Sequence, residues 1–272
     1  MLHQPSEFAA SVLRILDQAS SIVLKYFQTV LDVEFKRDEF DPLTIADKES
    51  DYFIRNSLHE LFPHDLLLSE ENPLLPETYN GRVWMIDPLD GTKSFIKGSD
   101  TFSINIGLVE NGVPIFGCVA IPAQGKVFYA EKGKGAFRKT DESFEAIHTS
   151  SIQQIEIARL ITREGNKDVR PIEEKLNTIP FYERITGGGI GEKLCKIAEG
   201  VAEAQINTNR ACKWDTAGVQ VILEEAGGVI TDFDNNRLNY KSDSVVLERS
   251  FVASANKELH EVLIKELRGL EI

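Results

Sequence analysis

Along residues 6–28 the apolar positions Phe8, Val12, Ile15, Leu16, Ala19, Ile22, Val23 and Phe27 recur about every three or four residues. That spacing predicts an amphipathic helix, with Ser6 as its cap. A second helix is predicted over 45–61, where Ile45, Tyr52, Ile54, Leu58 and Leu61 fall at helical positions and Pro63 follows. The pattern then shortens to apolar runs at 66–69, 83–87, 102–109, 113–121 and 126–131, each the length of a strand. Glu110-Asn111-Gly112 interrupts the segment 102–121 and reads as a hairpin turn between antiparallel strands. The first half is therefore expected to pack helices on a largely antiparallel sheet.

From about residue 150 the rhythm changes. Strand-like runs at 157–162, 181–185, 203–207, 228–232 and 250–254 alternate with helical stretches at 169–178, 190–199, 214–226 and 256–268. Such alternation implies an α/β layer. The polar segment Lys139–Glu145 is the expected link, dividing the chain into halves 1–142 and 143–272. No repeat, heptad array or low-complexity tract interrupts this plan.

Composition narrows the function. A chain of 272 residues can bury a large core, and 42% hydrophobic with 27% charged residues is ordinary for a soluble globular enzyme. The net charge of −13 argues against nucleic acid as a partner, since nothing in that balance neutralises a phosphate backbone. A small phosphorylated substrate stays compatible, because a bound divalent cation reverses the local sign. Cys118, Cys195 and Cys212 each lie in apolar surroundings and are expected to be buried, reduced thiols. The opening MLHQPSEF lacks the pattern of a signal peptide, and no apolar run approaches the roughly 18 residues of a membrane span. A cytoplasmic setting is the expectation, with peripheral membrane association left open. His3, His59, His64, His148 and His260 are scattered and form no zinc pattern.

The candidate chemistry lies in WMIDPLDGTKSFIKG, residues 84–98. Asp87 and Asp90 flank Pro88 at the end of an apolar run, where crowded carboxylates repel unless a cation sits between them. Asp-x-x-Asp on a bent loop, with the carbonyl of Leu89 between, offers the oxygen ligands that Mg²⁺ requires. Gly91 lets the backbone pass close to a ligand, and Thr92 opens a turn whose N–H groups would face a phosphate. Glu70 and Glu71 follow the run LLLS, and Asp215 follows Trp214 at the start of a predicted helix. Taken singly, each has an ordinary structural reading: a turn, a solvated end or a helix N-terminal charge.

Together, DPLTIAD (41–47), LSEE (68–71), WMIDPLDGTKSF (84–95) and KWDTAGVQVILEEAGG (213–228) resemble the Mg²⁺-dependent, lithium-sensitive phosphatases of the inositol monophosphatase superfamily. The resemblance covers nearly the whole chain. Within it, DGTKSFIKG and KLCKIAEG (193–200) are similar to the 3′(2′),5′-bisphosphate nucleotidases of the CysQ type. The resemblance implies an α/β (α+β) fold, a layered αβαβα sandwich, and two or three Mg²⁺ ions. It implies that Glu70, Asp87 and the Leu89 carbonyl hold one ion, and that Asp87, Asp90 and Asp215 hold a second. It assigns Asp47 and Thr92 to a dyad that orients and deprotonates the attacking water, with Glu70 also among the catalytic groups. Gly91 and Thr92 would grip the phosphate, and Asp215 would also touch substrate.

Lys93 and Lys193 are candidates for a second phosphate, Lys93 equally for a surface lysine. Glu71 would support Glu70 or face solvent, and Trp214 would pack beneath Asp215. One segment departs from the nucleotidases: Gly187-Gly188-Gly189 stands where they carry Gly-Ser-Ser. A glycine turn there either presents N–H groups to a nucleotide, through Gly188 and Gly189, or is only a tight strand-to-helix turn. The expected activity is hydrolysis of adenosine 3′,5′-bisphosphate to AMP and phosphate. The alternatives are an inositol 1-monophosphatase or other sugar-phosphate phosphatase, and a non-catalytic member. Related families include both monomers and homodimers.

Overall fold

A computed structural model describes residues 3–29, 33–36, 42–73, 81–140, 143–163, 174, 176–247 and 250–268. The first predicted helix is α1 (Glu7–Tyr26), and the Ser6 hydroxyl oxygen accepts from Ala9 N at 3.1 Å as its cap. A two-residue ribbon, β1 (Glu34–Phe35) with β2 (Pro42–Leu43), precedes α2 (Ile45–Leu61). Thr44 opens α2 in a capping box, its backbone N donating to Asp47 Oδ2 at 2.7 Å.

Seven strands then pair in chain order: β3 (Leu66–Ser69), β4 (Arg82–Asp90), β5 (Ser103–Glu110), β6 (Val113–Ile121), β7 (Lys126–Glu131), β8 (Ala136–Lys139) and β9 (Phe144–Ala146). Only β3 and β4 run parallel among these pairs. The short helix α3 (Thr92–Ile96) follows β4 directly. The polar segment expected to be a link is instead the outer hairpin of this sheet, with Lys139 opposite Phe144. Its polar sequence reflects an exposed sheet edge, which charge protects from pairing with other chains.

The second sheet holds β10 (Arg159–Arg163), β11 (Glu183–Gly187), β12 (Ala204–Asn207), β13 (Val229–Asp232) and β14 (Phe251–Ser254) in the order β11-β10-β12-β14-β13. The helices α4 (Ile190–Ala198), α5 (Lys213–Glu225) and α6 (Lys257–Leu267) accompany it. The runs predicted at 157–162 and 181–185 are each displaced by about two residues. A 3₁₀ turn occupies Ile155–Ile157, and β11 starts only at Glu183. Most of the helix predicted over 169–178 lies outside the described residues.

Strand alternation builds the layers. On β4, Trp84 and Ile86 join Ile104 and Phe116 against α1 and α2, while Val83 and Met85 join Val119 and Phe128 on the opposite face. That opposite face packs on α4 and α5, which also cover Phe251 and Ala253 of the second sheet. Beyond that sheet, Leu160, Ala204 and Val252 meet Leu259 and Leu263 of α6. The result is the αβαβα sandwich. At its centre α5 lies backbone-to-backbone on the first sheet: a Cβ added at Gly117 would overlap the Gly218 carbonyl, and one added at Gly218 would sit 2.7 Å from Ile106 O. No described helix is long and apolar enough to cross a membrane.

Candidate active site

An irregularity in β4 creates the site. Asp87 lies opposite Asn105, and Asp90 lies opposite Ser103, so the three-residue step on β4 matches a two-residue step on β5. In a regular strand Asp87 and Asp90 would point to opposite faces. The extra residue bulges at Pro88-Leu89 and returns both carboxylates to the α4/α5 side. Proline suits the bulge because it has no N–H to leave unpaired. Leu89 turns into the opposite core with α1 and α2. Gly91 then takes φ +87°, which a side chain resists, and starts α3 at Thr92.

The surrounding elements aim their ends at this bulge. Ser50 of α2 donates to Pro88 O at 3.0 Å. Thr92 Oγ1 lies 3.1 Å from Asp47 Oδ1 and 3.1 Å from Leu89 O, so its single proton reaches one acceptor at a time. Asp90 Oδ2 accepts from Gly191 N at 2.7 Å, Ser103 Oγ at 3.1 Å and Asn105 Nδ2 at 3.3 Å. Asp215 sits in the first turn of α5 and caps Cys212 N at 2.7 Å. Asp87 Oδ1 accepts from Leu89 N at 3.0 Å. Glu70, at the end of β3, pairs with Lys36 at 2.9 Å.

Electrostatics registers the crowding. Burial pushes Asp87 well above the usual carboxylate range, and repulsion from Glu70, Asp90 and Asp215 adds to it. Asp215 is raised in the same way, by burial first and then by Asp90 and Glu70, against the opposing Cys212 N–H. Burial also raises Asp90, offset in part by Gly191 N–H and Lys193. Asp47 is pushed up to about 6 by burial, while Thr44 pulls the other way. Glu71 is not solvated: it pairs with Lys36 at 2.6 Å, and burial pushes it up to about 7. Burial lowers Lys36, but Glu70 and Glu71 reverse this and hold it above the usual lysine value.

The group that suits this cluster is a hard divalent cation. Every candidate donor is oxygen: the carboxylates of Glu70, Asp87, Asp90 and Asp215 and the Leu89 carbonyl. The hydrogen bonds and ion pair above engage one oxygen of each carboxylate. Among the described residues no three His, Cys, Asp or Glu side chains converge on one centre, and each of these carboxylates meets a protein donor. Trp214 is buried in the core beside Asp215, as expected, and all three cysteines are buried thiols.

The acidic cluster opens into a cleft of about 290 Å³. Gly91, Thr92, Lys93, Gly188, Gly189 and Lys193 all line it, together with Asp90 and Asp215. Lys193 is 6% exposed, lowered by burial and supported by Asp90. The glycines do not present free N–H groups to a ligand. Gly188 N donates to Glu192 Oε2 at 3.1 Å, Gly189 N to Thr101 O at 3.3 Å, and Gly191 N to Asp90. Their absent side chains matter more: a Cβ at Gly189 would overlap the Asp90 carboxylate, and one at Gly188 would overlap Thr101 O. Sequence reasoning missed Lys97, Arg163 and Arg210, which also line the cleft. Lys97 and Arg210 stand close in sequence to the acidic motifs, but Arg163, at the end of β10, carries no local signal.

The model of the inositol monophosphatase family matches residues 4–271. The 3′(2′),5′-bisphosphate nucleotidase CysQ of Aggregatibacter actinomycetemcomitans is 31% identical over 252 residues, 91% of this chain and 92% of that protein. Inositol monophosphatase 1 of Sus scrofa is 29% identical over 257 residues, 92% of this chain and 90% of that protein. A solved Thermotoga maritima IMPase superposes with a TM-score of 0.82 at 26% identity, covering 96% of each chain. Fold and site thus define a phosphatase of the layered αβαβα class. The chain belongs to the inositol monophosphatase family, whose members are metal-dependent.

Proposed function

We propose that the protein is a Mg²⁺-dependent phosphomonoesterase that hydrolyses the 3′-phosphate of adenosine 3′,5′-bisphosphate, giving AMP and phosphate. One observation carries the choice of substrate. Five basic side chains, Lys93, Lys97, Arg163, Lys193 and Arg210, line one cleft beside the buried carboxylates of a chain whose net charge is −13. With one phosphate of the substrate placed at the acidic cluster, a second phosphate would meet that concentration of positive charge. The 31% identity to a CysQ nucleotidase supports the same reading.

Glu70, Asp87, Asp90, Asp215 and the Leu89 carbonyl would hold two or three Mg²⁺ ions. When bound, these lower the pKa of water and neutralise charge on the phosphoryl oxygens. The protein's own part is positioning. Asp47, raised by burial in the metal-free protein, would act as the base, and Thr92 would join it to the water. The water oxygen bonds to phosphorus as the bond to the 3′-oxygen breaks. The water's proton would pass toward Asp47, and the leaving 3′-oxygen would take a proton from a second water molecule. The 5′-phosphate, remote from the chemistry, contributes binding energy through the basic side chains.

The test is kcat/KM for adenosine 3′,5′-bisphosphate, 3′-AMP and inositol 1-phosphate at one Mg²⁺ concentration. The bisphosphate is expected to exceed 3′-AMP by more than about fivefold, over about 1 kcal/mol, and to exceed inositol 1-phosphate. If inositol 1-phosphate is preferred, or 3′-AMP equals the bisphosphate, the nucleotidase reading fails and the phosphatase class remains.

A further inference from the structure

The buried face of α2 carries polar groups where a helix facing a core usually carries apolar ones. Asp47, Ser50, Asp51, Ile54 and Leu58 fall along it at helical spacing, and all are buried. Its apolar end, Ile54 and Leu58, belongs to the core shared with α1 and Trp84. Its polar end meets three separate parts of the acidic site. Thr92 Oγ1 lies against Asp47, Ser50 reaches Pro88 O, and Asp51 Oδ1 accepts from Ser69 Oγ at 2.5 Å.

The Ser50 bond answers a need that the bulge creates. Pro88 and Leu89 have no partners on β5, and β3 ends opposite Ile86, so it offers them none on the other side. A buried carbonyl left unpaired is costly, and Ser50 supplies the donor for Pro88 as Thr92 does for Leu89. The Pro88–Leu89 peptide is thereby gripped at both edges, its oxygen by Ser50 and its N–H by Asp87 Oδ1 at 3.0 Å. The Asp51 bond acts on the neighbouring strand. Along β3, Leu67 joins the core with α1 and α2 and Leu68 the opposite core. Ser69 faces α2 again, where it meets Asp51, and Glu70 follows it toward the acidic cluster. Asp51 is itself fixed one turn on, where Arg55 Nε donates to Oδ2 at 2.8 Å. Ser50 and Ser69 are wholly buried and Asp51 is 4% exposed, so none of them can touch substrate.

We propose that Ser50 and Asp51 are positioning residues for the cation site. Ser50 holds the peptide that orients Asp87 and the Leu89 carbonyl, and Asp51, through Ser69, holds the end of β3 that presents Glu70. With Asp47 they make α2 a single bracket behind the site. The proposal rests on the metal ligands of the reading above and names what keeps them in place.

Mg²⁺ affinity is measured without substrate, by calorimetric titration of the wild-type protein and of Ser50→Ala, Asp51→Ala, Asp51→Asn and Ile54→Ala. Loss of a group that supports a metal ligand costs about tenfold or more in affinity, so Ser50→Ala and Asp51→Ala are each expected to raise the Kd by about that factor. The loss should appear in the Mg²⁺ requirement, with kcat recovering at saturating Mg²⁺. Asp51→Asn keeps an oxygen for the Ser69 hydroxyl and is expected to keep the wild-type Kd. Ile54→Ala removes packing from the same face and no polar contact, so it is expected to lower the melting temperature and leave the Kd unchanged. An unchanged Kd in a folded Ser50→Ala or Asp51→Ala protein overturns the role of that residue. A Kd raised as much by Ile54→Ala overturns both. Should Asp51→Ala fail to fold, Ser69→Ala removes the same bond from the other side and decides. A wild-type protein that binds no Mg²⁺ overturns the metal-dependent reading itself, and the bracket falls with it; binding that is equal in wild type and variants overturns the bracket alone.

Discussion

Asp87 is 2% exposed and lies closest to the conflict of charges at the bulge. Its folded-state pKa is raised, so protonation stabilises the metal-free fold and ionisation at neutral pH destabilises it. Asp87→Asn removes that cost while keeping the shape and the hydrogen bond from Leu89 N. Turnover is expected to fall by more than about a thousandfold, since a ligand and a share of charge neutralisation are lost. In metal-free buffer at pH 8 the melting temperature is expected to rise by roughly 2–4 °C for each kcal/mol relieved. Thermal unfolding and a phosphate-release assay check both, and near-wild-type activity in Mg²⁺ would remove Asp87 from the ligand set. At this scale the motif Asp87-Pro88-Leu89-Asp90-Gly91-Thr92 was legible because its chemistry is local. The place of Arg163 was not, because only the fold brings the end of β10 to the edge of the cleft.

Between elements, the glycine run before α4 joins the second sheet to the bulge of the first. Gly189 has φ −65°, so alanine suits its backbone, and what forbids a side chain is the Asp90 carboxylate directly opposite. Gly189→Ala is therefore expected to push Asp90 away from Gly191 N and lower kcat/KM by about a hundredfold, because misplacement of a site group by about 1 Å has that scale of effect. Stability should fall by only about 1–3 kcal/mol, the scale of local overpacking. Urea unfolding with steady-state kinetics separates the two effects, and unchanged kinetics would mean that Asp90 does not depend on this contact. The sequence showed the glycines but not their purpose. Whether a glycine serves a turn, an N–H or a close approach depends on what lies opposite it.

For the molecule as a whole, the apolar cluster that includes Val83, Val119, Leu194, Trp214, Ile222 and Phe251 draws on both sheets and the helices between them. The two halves of the chain are expected to unfold together, in one calorimetric transition whose midpoint rises with Mg²⁺. That rise should depend on pH. Asp47 is raised to about 6 and Glu71 to about 7, so the stability that protonation supplies is full below about 4 and is lost as pH climbs through 6 to 7. Metal-free protein should therefore melt lower at pH 8 than at pH 5.5, and Mg²⁺ should stabilise it more at pH 8. Equal Mg²⁺ shifts at both values, measured by differential scanning calorimetry, would contradict a cation in the carboxylate cluster.

Periodicity alone determined α1, α2 and most strands, because the side chains of an element sort to core or solvent according to its own repeat. The metal-type motif was equally local, a run of oxygen donors about a bend. Tertiary structure decided the rest. A single bulge residue turned Asp87 and Asp90 to one face, and the edge hairpin at β8 and β9 emerged where polarity alone had suggested a link. Glycines at 117, 189 and 218 proved to be points where backbone or carboxylate meets backbone. Ser50 and Asp51 of α2 came to lie against the bulge and the end of β3, which no run of residues announces. Each depends on groups far apart in the chain occupying neighbouring space, and a one-dimensional pattern carries no term for that.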